Sequence, residues 1–483
     1  MSKNYITRRS ALKALAALSL APLALAQRAS AQASLVVVVG AGVAGLAAAA
    51  ELVKRGFVVR VLEARNRIGG RVWTDEQDGH SADLGASWIH GVTGNPVTAL
   101  AARFGAATRA FNYDAMQRYR AGEELTDAID ARIDDWGEQI ADQLDGRDLR
   151  GVNAPLADGL RDVTAGMAST TAQQQELDYV LNTEFEHEYG ADIADLSHDE
   201  FDAMGQFLGG DVLFPSGYGA IVDGLADGVD VRLAHVVTRI ETLSGSVRVT
   251  ATAGGGEVSM DAHAVVVTVP LGVLKAGGVV FAPELPAEKQ TAIDRLGMGV
   301  LDKIWMRFDA AFWPTTQDMF GYVSAQRGRW AEWVNVAKFD PQGTPILLGF
   351  NAGSVAEEIE ALSDEQVTAS ALAALRDMFG PDVPEPEEVR LTRWRADPYA
   401  RGSYSYVAAG SRLSDYDALA EPVGTRLFFA GEATSSEHPS TVHGAYLSGV
   451  RAAGEVPAAP LAAATATSPA GFVPRMWLPV TVR

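Results

Sequence analysis

The run Gly40-Ala41-Gly42-Val43-Ala44-Gly45 constrains this chain more than any other stretch of it. It follows the β-branched run Leu35–Val39 and opens the alanine-rich stretch Leu46–Lys54, after which Phe57–Leu62 is apolar again. Strand, glycine turn, helix and strand within about 30 residues predict a βαβ unit of a parallel sheet. The first glycine permits a tight turn, the second lets a pyrophosphate approach the backbone, and the third lets helix and strand pack closely. Phosphates at that position sit on a helix N-terminus, where backbone N–H groups lack partners. Glu63 ends the second strand, 18 residues after Gly45. It is the expected acceptor for ribose hydroxyls, and its charge disfavours a 2′-phosphate. Together these residues predict a dinucleotide site.

The next residues bear on which dinucleotide. Glu63-Ala64-Arg65-Asn66-Arg67-Ile68-Gly69-Gly70-Arg71 sets guanidinium groups around a Gly-Gly turn, which suits a second wall around a pyrophosphate. The run resembles the Glu-x-Arg-x-x-x-Gly-Gly-Arg motif of the flavin-containing amine oxidase family, which includes monoamine oxidases, polyamine oxidases and histone lysine demethylases. The resemblance continues through separated motifs over about residues 34–455, and it is nearest to the polyamine oxidases. It implies FAD as cofactor, held by Gly40, Gly42, Ala44, Gly45, Glu63, Ala64, Arg65, Gly70 and Arg71. Asp83–Gly91 resembles the segment beneath the flavin, with Gly85, Ala86, Ser87 and Trp88. Val236-Val237 resembles the strand end that contacts adenine, through Val237. Phe429–Thr434 and Ser440–Ala445 resemble the carboxy-terminal flavin clamp, with Gly431, Glu432, Thr441, Val442 and Ala445. Glu432 would then meet the ribitol chain, and Thr441-Val442 the N1–O2 edge of the ring at a helix start. Trp394 and Tyr399 complete the implied cofactor residues. Monoamine oxidases carry their flavin on a cysteine in a Gly-Cys-Tyr stretch; the matching stretch here is Gly402-Ser403-Tyr404, and the chain has no cysteine. Non-covalent FAD is the expectation.

The implied chemistry is hydride transfer from the carbon beside an amine nitrogen to the flavin, followed by imine hydrolysis and reoxidation by O2 or another acceptor. Lys303 lies in the apolar run Leu301–Phe308. A lysine in such a strand is costly unless it has a task. The segment resembles the family stretch whose lysine holds a water at flavin N5. His90 stands where polyamine oxidases have a histidine or an acid at the tunnel. Glu184-Phe185 resembles their acid–aromatic pair and Tyr404 their aromatic wall. Lys303, His90 and Glu184 are thus the expected catalytic residues, with Phe185 and Tyr404 against a small amine substrate. Polyamines lead the substrate classes; another secondary or heterocyclic amine is the alternative enzyme reading, and a flavin-loaded binding protein without turnover the alternative of another class.

The expected fold class is α/β, an FAD-binding Rossmann-like domain interleaved with a substrate domain of mixed β-sheet plus helices. Segments 34–100, 206–290 and 392–455 are assigned to the first and 101–205 and 291–391 to the second. Further strands are expected at Val229–Val237, Val247–Ala251, Ala264–Val269, Ile346–Phe350 and Val389–Trp394, and a helix at Glu365–Phe379 behind a Ser363/Gln366 capping box. Past Glu455 the chain is Ala, Pro, Thr and Ser, a linker composition ahead of a short apolar tail in 456–483.

At the other end, Thr7-Arg8-Arg9-Ser10-Ala11-Leu12-Lys13 precedes the apolar stretch Ala14–Ala26 and small residues suited to cleavage. Residues 1–31 therefore read as a twin-arginine export signal, which carries folded, cofactor-loaded cargo, and predict a periplasmic protein. The formal charge is −21. Cleavage after Ala31 would take it to roughly −26, a field that repels nucleic acid and attracts cations. With no cysteine there is neither a disulfide framework nor a thiolate site, and no metal site is expected. No span of a membrane is expected, and oligomeric state is not readable.

Overall fold

The computed structural model describes residues 34–458 apart from 78, 147–149 and 152. The export-signal reading of 1–31 and nearly all of the 456–483 tail lie outside the described residues. Leu35–Pro457 forms one compact unit. At its centre five parallel strands run in the order Val231–Arg232, Val58–Leu62, Leu35–Val39, Ala264–Val267, Leu427–Phe429. The middle strands are buried on both faces, as a parallel sheet covered on both sides requires. Val36 and Val38 enter the core shared with helix Val43–Lys54. Val37 and Val39 face the opposite core, shared with the strands Val236–Thr242 and Val247–Ala253. Helix Val442–Glu455 lies on Val43–Lys54 so closely that a Cβ on Gly449 would come 2.2 Å from the Ala44 carbonyl.

A seven-stranded mixed sheet lies beside this layer, in the order Glu388–Leu391, Leu301–Arg307, Ile346–Ala352, Glu332–Asn335, Met319–Tyr322, Met116–Arg120, Glu123–Glu124. Helices Asp127–Asp145, Leu156–Val163 and Thr171–Leu181 form a separate core on Ile133, Trp136, Leu160 and Val180. The fold is thus the α/β class expected, a Rossmann-like layer interleaved with a mixed sheet plus helices.

Several element boundaries differ from the expectation for visible reasons. The helix after the glycine turn begins at Val43 instead of Leu46, because Gly42 caps it without a side chain. The strand expected over Val229–Val237 is two strands, Val231–Arg232 and Val236–Thr242, in different sheets. Between them Ala234 takes a φ of 54°, and the N–H groups of Ala234 and His235 donate to the carbonyls of Arg65 and Glu63. The strand expected to reach Trp394 stops at Leu391. Beyond it Thr392 N–H still donates to the Lys303 carbonyl, but side chains take the other ladder positions: Thr392 Oγ1 accepts from Lys303 N–H, and Asp302 accepts from Trp394 N–H. The capping box at Ser363 and Gln366 is present, and its helix runs Asp364–Phe379.

Candidate active site

The glycine turn tests whether a dinucleotide fits. Gly40 has φ +106°, and a Cβ there would meet Thr268 Oγ1 at 2.8 Å; on Gly45 it would stand 2.0 Å from the Gly40 carbonyl. Both glycines are demanded by the protein's own packing. Gly42 is different: its φ is −77°, and a Cβ would find only the Gly69 carbonyl, at 3.9 Å. Nothing in the polypeptide fills the space at Gly42, so the helix start stays open to an approaching group, which suits a diphosphate. Gly70, in the second turn, has φ +60°, and a Cβ there would stand 3.5 Å from Gly42 Cα. Ala64 lies between Glu63 and Arg65 at the end of the second strand, and Ala44 is buried in the first turn of the helix.

Around this turn the charged side chains are held in place by one another. Glu63 accepts the N–H groups of Ala41 and Arg65, both at 2.8 Å, and keeps lone pairs for hydroxyls. Arg65 is paired with Asp397 at 2.7 Å and lies over the Tyr399 ring. Arg71 bonds the Ser403 carbonyl at 3.0 Å and Glu432 Oε1 at 2.7 Å. Glu432 Oε2 accepts from Ser405 Oγ at 2.5 Å and Ser440 N–H at 3.0 Å. The carboxylate expected to meet a ribitol chain is therefore chiefly a clamp that ties Arg71, Ser405 and Ser440 together. Val237, expected at the adenine, is buried in the core between the parallel sheet and strand Val247–Ala253. Gly431, at φ +134°, has open space where a side chain would stand. Thr441 caps the last helix, accepting from Gly444 N–H at 2.9 Å, and Val442 and Ala445 occupy its first turn. Trp394 is buried edge-on to Trp73.

Lys303 is buried at 6% exposure in strand Leu301–Arg307. Its Nζ donates to the Gly85 carbonyl at 2.6 Å, Ser87 Oγ at 2.7 Å and the Asp83 carbonyl at 3.1 Å. Burial lowers it to about 8 against a weaker opposing pull from Asp83. Asp83 in turn is pushed up to about 6 by burial, against hydrogen bonds from Thr74 and Tyr218 N–H. Gly85 must be glycine, because a Cβ would stand 1.9 Å from the Arg71 carbonyl, and Ala86 N–H donates to that same carbonyl. Trp88 and Phe350 flank the ammonium at 5.7 Å each.

Trp88, beside Lys303, stacks on His90, and Phe350 tilts against His187; these two histidines begin an acidic cluster. His90 Nδ1 lies 2.7 Å from Asp211 Oδ2, which also accepts from Tyr113 OH at 3.0 Å. Burial works against a charged His90, but Asp211 and Glu188 outweigh it and the ring titrates above its ordinary value. Burial and then Glu188 push Tyr404 well up; its hydroxyl donates to the His187 carbonyl at 2.9 Å. His187 Nδ1 pairs with Glu332 at 2.6 Å. His90, Tyr113 and Glu184 are exposed to solvent.

Two substrate-side expectations need correction. Phe185 is buried against Phe201 in the helical core, so it does not form a substrate wall. Glu184 lies against Gly137 of the long helix, with Glu332, Glu188, Arg118 and Asp134 around it. The acid that interacts with His90, Tyr113 and Tyr404 is Glu188. The cause is a π-helical turn at Asn182–Glu186, which widens the helix and carries Phe185 inward. The signal was present in the sequence as Glu188-Tyr189, a second acid–aromatic pair four residues on. Asp211, Tyr113, His187 and Glu332 were not anticipated at all.

Residues 43–457 match the family described as flavin containing amine oxidoreductase. The chain is 36% identical over 436 residues to polyamine oxidase 4 of Oryza sativa subsp. japonica, covering 87% of this chain and 88% of that protein. It is 37% identical over 445 residues to lysine-specific histone demethylase 1 homolog 3 of Oryza sativa subsp. indica, covering 87% and 54%. With lysine-specific histone demethylase 2 of Homo sapiens it shares 35% over 449 residues, covering 88% and 53%. The chain spans about half the length of these demethylases. A solved structure of putrescine oxidase bound to putrescine superposes with a TM-score of 0.69 at 21% identity, over 88% of this chain and 98% of that one.

Proposed function

The chain belongs to the flavin-containing amine oxidoreductase family, and on that premise we propose that it oxidises a C–N bond of a polyamine, with non-covalent FAD as cofactor and O2 as final acceptor. The observation that carries the substrate class is a cluster of carboxylates: Asp211 bonded to His90 and Tyr113, Glu332 bonded to His187, whose carbonyl accepts the Tyr404 hydroxyl, and Glu188 acting on His90, Tyr113 and Tyr404. Several like charges in one cluster repel one another, and a ligand with several ammonium groups relieves that repulsion. Aromatic faces beside them suit a cationic chain.

Bound FAD supplies the hydride acceptor. The chain's own residues bind, orient and hold protons. Glu188 binds a substrate ammonium remote from the nitrogen to be oxidised, beside His90, Tyr113 and Tyr404. Lys303, at about 8, exchanges its proton near neutral pH; when charged, its three N–H groups are spent on Gly85, Ser87 and Asp83, so a water bonds to Nζ through the lone pair of the neutral amine. In the same reading, segments 34–100, 206–290 and 392–455 serve the flavin and 101–205 with 291–391 the substrate, and residues 1–31 direct export of the folded holoprotein to the periplasm. A peroxide-coupled assay over spermidine, spermine, putrescine, a monoamine, a cyclic secondary amine and an N-methyl-lysine peptide tests the substrate class. Turnover of spermidine and spermine above the others supports it. Preference for the monoamine, the cyclic amine or the peptide replaces it with that substrate, and no turnover of any leaves a binding protein.

A further inference from the structure

Asp302 precedes Lys303 in the same strand, so the two side chains leave opposite faces. Lys303 points toward Gly85 and Ser87; Asp302 points away, at 3% exposure, toward the segment that follows strand Glu388–Leu391. Asp302 Oδ1 accepts the Thr392 hydroxyl at 2.7 Å and Trp394 N–H at 3.1 Å. Its Oδ2 is buried without any N–H or O–H donor. The group within hydrogen-bond reach of the carboxyl is another carboxyl, that of Glu360 at the end of helix Gly353–Glu360. Glu360 itself accepts Arg395 N–H at 2.8 Å and Ala396 N–H at 2.9 Å.

No cation neutralises this contact among the described residues. Arg393 spends its guanidinium on the Glu360 and Leu362 carbonyls and on Asp364. Arg395 pairs with Glu357. Across the ladder from Asp302 stands Asn351, a neutral amide whose Oδ1 accepts Trp330 N–H. Burial, then the Glu360 carboxylate, raise Asp302 well above the ordinary carboxyl range. Asp302 is buried and Glu360 half-buried beside it, so two ionised carboxylates would repel with no cation between them, and one proton shared between them makes the contact a hydrogen bond.

We propose that Asp302 and Glu360 share a single proton and act as a positioning pair that fastens segment 392–397 to the strand of Lys303. The pair grips three successive amides, those of Trp394, Arg395 and Ala396, and reaches Lys303 through Thr392, whose Oγ1 accepts Lys303 N–H at 2.8 Å. The same segment carries Asp397, the partner of Arg65. One latch thus sets the backbone of Lys303 and the Trp394–Arg65 side of the flavin site together. The latch stands on its own geometry; only its service to flavin rests on the function proposed above.

Asp302→Asn keeps both acceptor contacts through Oδ1 and replaces the shared proton with an N–H donor, whereas Asp302→Ala removes all of them. Amide hydrogen exchange over 392–402 in the flavin-free protein reads the latch, and the rate of FAD release from the holoprotein reads its service to the cofactor. Exchange and FAD release should stay within about threefold of wild type in Asp302→Asn and rise at least about tenfold in Asp302→Ala. The infrared carbonyl band of a buried protonated carboxyl should be present in wild type near neutral pH and missing from Asp302→Asn. That band keeps the test decisive even if Asp302→Ala does not fold. Absence of the band in wild type, or an Asp302→Asn protein as loose as Asp302→Ala, overturns the shared proton and points to a bridging cation. Faster loop exchange with unchanged FAD release overturns the flavin-positioning half alone.

Discussion

Replacing Lys303 by methionine keeps the length and apolar stem of the side chain and removes the charge and three donors. Two stability effects then oppose each other. An ammonium that titrates at about 8 instead of 10.5 is disfavoured by about 3 kcal/mol relative to a solvated one, and the variant is relieved of that cost. Against it, the Asp83 and Gly85 carbonyls and the Ser87 hydroxyl lose a donor. The single Ser87 hydroxyl proton serves one of those carbonyls, Gly85 at 3.4 Å or Asp83 at 3.5 Å, so about 1–3 kcal/mol is lost in total. The near cancellation predicts a change below about 2 kcal/mol in unfolding free energy at neutral pH, of either sign.

The pH dependence carries a clear sign. Between about 8 and 10.5 the unfolded chain holds a proton that the folded chain has released, so wild-type stability gains from Lys303 as pH rises through that window. The methionine variant lacks this contribution, and the difference between the two curves isolates it. In stopped-flow measurements, reoxidation of the variant should slow by about 10²-fold while anaerobic reduction by substrate changes modestly. A loss of more than about 4 kcal/mol with both half-reactions unchanged would make Lys303 a structural residue and refute the assignment.

Three other outcomes follow from the site. Glu188→Gln should raise KM for spermidine by about 10-fold or more with little effect on a monoamine, and Glu184→Gln should do much less; equal effects of the two would remove Glu188 from its place. Acid precipitation should leave intact FAD in the supernatant, since the chain offers no cysteine; flavin retained in the pellet would mean attachment through another side chain. Lysines in place of Arg8 and Arg9 should leave flavin-loaded protein in the cytoplasm, and undiminished periplasmic activity in that variant would exclude the twin-arginine route.

What the sequence disclosed depended on how local each constraint was. The glycines at 40, 42 and 45 answer to a single turn, and a lysine inside Leu301–Phe308 conflicts with its own neighbours, so both could be read without the fold. The capping box at Ser363 was legible for the same reason. The Glu184 assignment misled because a π-turn at Asn182–Glu186 depends on packing over Phe201 and the helical core, which no local pattern records. Strand Met116–Arg120 has no local signature, since its sequence is polar and only pairing with Met319–Tyr322 makes it a strand. Asp302 looked like an ordinary polar neighbour of Lys303; its partner Glu360 arrives from another helix, and only three dimensions bring two carboxyls together.

The central claim, amine oxidation by a bound flavin with a preference for polycations, is tested most directly by mixing the purified holoprotein with spermidine without oxygen and following the flavin absorbance. Rapid bleaching by spermidine, much slower bleaching by a monoamine of equal chain length, and full return of the oxidised spectrum with peroxide on admission of air is the predicted result. A flavin that spermidine leaves oxidised, while a monoamine or a cyclic amine bleaches it, would contradict the polyamine assignment; a flavin that no amine bleaches would contradict the catalytic reading altogether.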